Sequence, residues 1–340
     1  MKATLRTVAE AAGVSIATVD RVLNRREGVR PLTIEKVEAA IRDLGYAPSS
    51  LVARVQTAPS RFIFVLPRGH NPFFAALERA IGQLAEQLPF KNSSFDIRHV
   101  DVFDGEAIAA ALKDIRQSDC DGVAVAALDH PSVREAINTL KAGGIAVVTL
   151  VSDVPSSRRD RFIGIDNTAA GRTAGSLLGR FLPHRTGKVA MLAGSLALRD
   201  HAERRFGFEQ VITQDFPGVE IIALREARDD PNTVHGMIEE ILKEHPDLAG
   251  IYNVGAGNAG VISTLEASGR ARDIVFVAHE LTDESRSALI RGTMDAVIHQ
   301  DPGHEIRSAA RILQSLTSDW TIVDDQERIR IDIFLRDNLL

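Results

Sequence analysis

Cysteine is nearly absent from this 340-residue chain: Cys120 stands alone and cannot form an internal disulfide, so nothing points to an oxidising compartment. Charged or polar residues interrupt Met1 to Gly13, leaving no apolar core for a signal peptide. No later apolar run reaches membrane-spanning length. A cytoplasmic location with no membrane partner is the expectation. There is no fixed-period repeat and no low-complexity tract, which excludes a solenoid or a fibre. H-E-x-x-H and G-x-S-x-G are both missing, and Cys120 lies between Asp119 and Asp121, whose charges raise rather than lower a thiol pKa. Enzyme activity, a bound metal and a cofactor are therefore not expected. What is present, 44% hydrophobic and 25% charged residues, is the composition of a globular protein long enough for two or three domains.

The head of the chain has the clearest pattern. Leu5, Val8, Ala9 and Ala12 fall on one face of a short helix, and Gly13 follows where a left-handed turn is cheap for glycine. Ser15 can cap a second helix with Val19, Val22 and Leu23 inward. Two short helices across such a turn form a helix-turn-helix, whose second helix offers its first residues, here Ile16 and Ala17 with Thr18, to the major groove. Ile34, Val37, Ala40, Ile41 and Leu44 mark a third helix, with Thr33 as its N-cap and Gly45 as its stop. Residues 1–58 hold nine basic against six acidic residues, +3, so the remainder carries −9 of the overall −6. A basic head on an acidic body suits phosphate contact at one end.

Thr4-Leu5, Val8-Ala9, Ala12-Gly13-Val14-Ser15, Ala17-Thr18-Val19, Arg21-Val22-Leu23-Asn24 and Leu44-Gly45-Tyr46-Ala47-Pro48 resemble the DNA-binding headpiece of the lactose-repressor (LacI) family of bacterial transcription regulators. The resemblance implies DNA contacts from Thr4, Ser15, Ile16, Ala17, Thr18, Arg21 and Asn24. It also implies a hinge helix over residues 49–60 whose apolar wedge in the minor groove is Val55. Asp20 departs from the family's serine and places a carboxylate near the DNA backbone.

From Arg61 onward, apolar runs alternate with helical patterns. Strands are expected at Phe62–Leu66, Ile97–Val102, Gly122–Ala126 and Ile145–Leu150, with helices over 72–88, 105–118 and 131–142. A second series of strands falls near 161–165, 188–193, 219–224, 249–253, 274–278 and 294–298, with helices near 168–182, 203–214, 232–244, 258–268, 283–291 and 303–316. This predicts an α/β body of two doubly wound parallel-sheet lobes, with ligands bound outside the carboxyl ends of strands. The domain expectation is a headpiece at 1–48, a hinge or linker at 49–60, and a body at 61–340. The body divides into one lobe of 61–160 with 300–318 and another of 161–299 with 319–340.

The body resembles the type I periplasmic-binding-protein fold that the LacI family carries as its effector domain. The resemblance rests on Asn71-Pro72-Phe73-Phe74, Gly164-Ile165-Asp166-Asn167, Glu203-Arg204-Arg205-Phe206-Gly207-Phe208 and Phe334-Leu335-Arg336-Asp337-Asn338. It implies that Asn71 bonds a sugar hydroxyl while Phe73 or Phe74 covers the ring. A sugar, polyol or sugar acid needs groups that donate and accept, so candidates at strand ends are Ser152, Asp153, His201 and Arg204. Asn253, Glu280 and Gln300 complete the set. Against the fold's pattern, Glu280 replaces an aspartate, His279 an aromatic, and Ser152 an arginine.

A rival reading comes from Gly255-Ala256-Gly257-Asn258-Ala259-Gly260, a G-x-G-x-x-G after a strand and before a helix, with Glu280 at the end of the next strand. It describes a dinucleotide (NAD) sensor, while a sugar-binding transport protein is a third reading. His299, Asp301, His304 and Glu305 lack metal-ligand spacing. The expectation that unites the rest is a homodimeric repressor on a pseudo-palindromic DNA operator. The tail after Leu335 leaves no heptad helix for a tetramer. Replacing Asp20→Ser removes the misplaced carboxylate and is expected to tighten operator binding in a fluorescence-anisotropy titration. Equal or weaker affinity contradicts that placement.

Overall fold

The computed structural model describes residues 5–23, 29–44, 59–69, 71–87, 90, 92–318 and 320–339. The chain divides into two compact units, 1–58 and 59–340. In the first, Gly13 sits at φ +64° between α1 (Leu5–Ala12) and α2 (Ile16–Leu23). The Ser15 hydroxyl accepts the Thr18 N–H at 3.1 Å, satisfying one of the orphan donors at the start of α2. Val8, Ala9, Ala12, Val19, Val37 and Ala40 form the core with α3 (Pro31–Asp43). Thr33 does not cap α3. The helix begins at Pro31, whose fixed φ and missing N–H suit a first helical position, and the Arg30 carbonyl accepts from Thr33 and Ile34. Leu44, expected inside, is 41% exposed. Gly45 lies outside the described residues, as does the segment 49–58 of the expected hinge.

The second unit opens with β1 (Arg61–Pro67), α4 (Pro72–Leu84), β2 (Ser94–Val100), α5 (Gly105–Lys113), β3 (Gly122–Val125), α6 (Pro131–Ala142), β4 (Ala146–Leu150) and β5 (Arg161–Ile163). These strands form one parallel sheet in the order β2-β1-β3-β4-β5. Phe62, Phe64 and Leu66 enter one core and Ile63 and Val65 another, so helices cover both faces. That is why β1 reads as an unbroken apolar run rather than an alternation.

The second sheet is built from β6 (Thr186–Ala193), β7 (Gly218–Glu226), β8 (Leu248–Asn253), β9 (Val275–His279), β10 (Ala296–His299) and β11 (Asp332–Phe334), in the order β11-β10-β9-β8-β6-β7. Its helices are α7 (Asn167–Phe181), α8 (Arg199–Asp215), α9 (Pro231–Glu244), α10 (Asn258–Ala267) and α11 (Asp283–Arg291). The last helix, α12 (Pro302–Thr317), returns to the first sheet, where Gly122 leaves room for Leu313.

Two lobe boundaries differ from the expectation. The strand at 161–163 pairs in parallel with Val148 to Leu150 of β4, extending that edge of the first sheet, and so belongs to the first lobe. After α12 the chain does not cross at once. Arg311 holds Glu327 by two bonds of 2.7 Å, and Ile329 is buried in the core shared with the first sheet. Only from Asp332 does it pair antiparallel with β10. The lobes are thus joined by three crossings, at 164–166, 300–301 and about 330.

Helices α7 and α8 meet backbone to backbone. A Cβ on Gly171 would lie 1.9 Å from the Arg204 carbonyl oxygen, and one on Gly207 2.1 Å from that of Thr168. No side chain can yield to relieve such a clash. Gly207→Ala is expected to lower the urea midpoint by an amount equivalent to about 2–3 kcal/mol with an unchanged m-value.

Candidate functional site

The carboxyl ends of the two sheets face each other across a cleft of about 230 Å³. Asn71 caps α4 through its Oδ1, which accepts the Phe73 N–H at 3.0 Å. Its Nδ2 reaches across to Asp229 Oδ2 at 3.1 Å, and Asp229 Oδ1 accepts the Ala256 N–H at 3.0 Å. Asp229 and its neighbour Arg228 both have left-handed backbones, at φ +61° and +49°. Arg228 adds a second link between the lobes: its guanidinium lies 3.2 Å from Asp101 and stacks 4.7 Å from the Phe103 ring centre.

Close contact of α7 with α8 brings Arg204 beneath the cleft, 3% exposed. Its Nε donates to Asn167 Oδ1 at 2.8 Å and its Nη1 to the Val254 carbonyl at 3.0 Å, leaving Nη2 without a partner in the protein. Asp200 and His201 occupy the first turn of α8. His201 Nδ1 accepts the Ser195 N–H, so its Nε2 carries the proton and lies 3.6 Å from Asp200 Oδ2, while Asp200 Oδ1 is unpartnered.

Glu280 follows β9 at φ +69°, with Oε1 accepting from Gln300 Nε2 at 2.8 Å and Oε2 lying 3.1 Å from His299 Nδ1. Gln300 Oε1 has no partner. His279 Nε2 meets the Tyr252 hydroxyl at 2.8 Å, and its Nδ1 is unpartnered. Burial, followed by the charge of Arg204, drives the His279 pKa well below its ordinary value, so the ring is neutral. Burial likewise raises the Tyr252 hydroxyl. That hydroxyl has no other acceptor among the described residues. By donating to Nε2 it leaves the imidazole proton on Nδ1. The residues lining the cleft therefore carry two unmatched donors, Arg204 Nη2 and His279 Nδ1, and two unmatched acceptors, Asp200 Oδ1 and Gln300 Oε1. Buried polar atoms without partners are costly, and a molecule bearing hydroxyl groups supplies both senses of bond.

Of the residues singled out in the sequence, Asn71, Phe73, Phe74, Ser152, His201, Arg204, Glu280 and Gln300 line the cleft. Asp153 does not. Arg159 and Thr149 capture it, with Arg159 Nη2 at 2.6 Å and Thr149 Oγ1 at 2.7 Å. Burial opposes its charge, yet those bonds hold its pKa below the usual carboxylate value. Asn253 sits one layer behind, its amide donating to Asn258 Oδ1 at 2.7 Å and to the Ala256 carbonyl. Sequence reasoning missed Asp200 and Asp229. Asp200 adjoins the chosen His201, and Asp229 reads as part of the acidic turn before Pro231.

The glycine-rich loop lines the same cleft, with Gly257 at φ +92° capping α10. It does not carry the dinucleotide arrangement. Asn258 Nδ2 is committed to the His279 carbonyl at 2.9 Å, and the acid proposed for a ribose, Glu280, is bound to Gln300 and His299. In the head, Ile16 is half exposed, Arg21 is exposed, and the Thr18 hydroxyl lies 2.9 Å from that of Ser15. Thr4, Asn24 and Val55 lie outside the described residues, as do the side chains of Ala17 and Asp20. Cys120 is buried, and burial with Asp121 beside it pushes its thiol up to about 11.

Comparison with known proteins gives the class first. The body belongs to the periplasmic binding protein domain family, whose model matches residues 62–319. The head matches bacterial regulatory proteins, lacI family, over residues 4–49. The chain is a LacI-family DNA-binding transcription regulator. It is 26% identical over 259 residues to a ribose operon repressor of Halalkalibacterium halodurans, covering 73% of this chain and 70% of that one. It is 22% identical over 234 residues to the ribose import binding protein of Bacillus subtilis, covering 68% and 73% respectively. The body shares its fold with GanP, a glucose-galactose binding protein from Geobacillus stearothermophilus, at a TM-score of 0.74 and 22% identity. That match covers 83% of this chain and 99% of the other. No described helix is long and apolar enough to cross a membrane.

Behind the cleft, Glu305 in the first turn of α12 is fully buried, with neither carboxyl oxygen partnered within the protein. Burial first, and then the charge of Glu280, raises its pKa well above 4.5. The folded protein thus keeps a proton that the unfolded chain releases above about pH 4.5, so this contribution to stability is complete below that pH and declines as pH rises. Glu305→Gln, uncharged and similar in shape, is expected to gain on the wild type in urea unfolding from about pH 5 to about pH 8, by at most about 1.4 kcal/mol per pH unit. Parallel pH dependences would show that the carboxyl is not held neutral.

Proposed function

We propose that the protein is a homodimeric repressor, acting in the cytoplasm, whose hold on a pseudo-palindromic operator is set by a neutral sugar or polyol in the cleft. The observation that carries this reading is the convergence of four buried, unmatched polar atoms on Asp200, Arg204, His279 and Gln300 opposite Phe73 and Phe74. Hydroxyl groups can both give and accept hydrogen, and aromatic faces suit the C–H surface of a ring. The sugar-acid member of the expected class is disfavoured. Asp200, Asp229, Glu280 and Glu284 line the cleft against the single guanidinium of Arg204. The ribose repressor and the sugar-binding proteins among its relatives support the same class of effector. Family relatives of this kind are regulators and binding proteins rather than enzymes.

In this reading Ser15, Ile16, Ala17, Thr18 and Arg21, with Thr4 and Asn24, contact the operator, and Val55 is the minor-groove wedge of a hinge at 49–60. The effector touches Asn71, Phe73, Phe74, Ser152, His201, Arg204, Glu280 and Gln300, which line the cleft. Asp153 and Asn253 support that shell from behind. The effector shifts the DNA-binding population only by its differential affinity for the two states of the lobes. Glu280→Ala is expected to bind operator within about 2-fold of the wild type and to lose the effector's influence on it. A variant that still responds normally in operator anisotropy would remove Glu280 from the effector contacts.

A further inference from the structure

The two lobes repeat one topology, which allows their cleft walls to be compared position by position. In each sheet the third strand in sequence is followed by a fourth at its side: β4 in the first, β9 in the second. The residue directly after each of these strands is left-handed, Val151 at φ +67° and Glu280 at φ +69°, and both line the cleft. Equivalent turns thus present a carboxylate from one lobe and an isopropyl group from the other. A β-branched residue in this conformation is a backbone outlier. The position is therefore one where an aspartate or asparagine would sit at lower conformational cost.

The same contrast runs through the rest of the walls. Every buried cleft-lining atom without a partner comes from the second lobe or from Gln300 at the crossing: Asp200 Oδ1, Arg204 Nη2, His279 Nδ1 and Gln300 Oε1. The first lobe presents Phe73, Phe74, Val102, Ala126, Ala127 and Val151. Its polar residues there are Asn71 and Ser152. Asn71 is bonded to Phe73 N and Asp229, and the Ser152 hydroxyl accepts from Asp200 N at 3.5 Å. A ring with hydroxyls on every edge would bury some of them against carbon.

We infer that the effector is a one-sided molecule, a neutral 6-deoxy sugar, whose adjacent ring hydroxyls face Asp200, Arg204, His279 and Gln300 while its methyl edge rests on the Val151 wall. This rests on the sugar reading above and narrows it. A hydroxymethyl group in place of the methyl brings a hydroxyl against the side chains of Ala126, Ala127 and Val151, none of which carries a polar atom. Such a mismatch weakens binding by about 10- to 100-fold.

The test is isothermal titration of the full chain with three matched pairs: 6-deoxy-D-glucose against D-glucose, L-rhamnose against L-mannose, and L-fucose against L-galactose. In any pair that binds, the deoxy member is expected to bind about 10- to 100-fold more tightly. A hydroxylated member that binds as well or better overturns the inference and leaves the sugar reading standing. So does binding of D-ribose or myo-inositol with none of the six. No heat from any of these sugars, with operator binding equally unmoved, overturns both. Val151→Asn places an amide on the same wall in a residue that adopts the left-handed turn readily. It is expected to retain the wild-type melting temperature and to shrink the deoxy preference at least about 5-fold. An unchanged preference would show that this wall does not read the ligand.

Discussion

The contact between α7 and α8 is the constraint on which the cleft depends. Glycines at 171 and 207 let the two backbones touch, and that touch fixes Arg204 under the floor with Asn167 and the Val254 carbonyl holding two of its nitrogens. A buried guanidinium is tolerable only when its donors are matched. Nε and Nη1 are matched by the protein, while Nη2 has no partner in it, and Arg204 lines the cleft. Beside it, Asn253, Asn258 and the His279 carbonyl tie β8 to β9.

Much of this was legible in the sequence because its causes are local. Strands covered on both faces leave apolar runs such as 62–66 and 188–193, with helical patterns between them. What escaped has tertiary causes. The strand near 161–165 was expected but placed in the wrong lobe, and the strand at 332–334 was not expected; each is three residues long, and the sheet edge beside it decides where it belongs. Pro31, not Thr33, opens its helix because a missing donor there outweighs a side-chain acceptor two residues later.

The candidate site divides in the same way. Asn71, Arg204, Glu280 and Gln300 were found because strand ends and family motifs point to them. Asp153 stands at an equally good strand end, but Arg159, six residues later, folds back on it, and spacing alone does not announce that pairing. Asp229 was hidden in an acidic turn where Asp230 performs the visible task of capping α9. Its left-handed backbone turns its side chain to a different duty from that of its neighbour.

The bonds from Asn71 to Asp229 and from Asp101 to Arg228 run from protein to protein across the two lobes. The Asp101–Arg228 pair is outside the cleft lining, so its contribution does not depend on what the cleft holds. A protein-to-protein link of this kind biases the lobes toward the arrangement in which it forms, and so gives the regulator a point of balance of its own. Transcription under its control therefore has a built-in leak or a built-in floor, adjustable in evolution at Asp101 or Arg228 on the rim without touching the surface that recognises the signal.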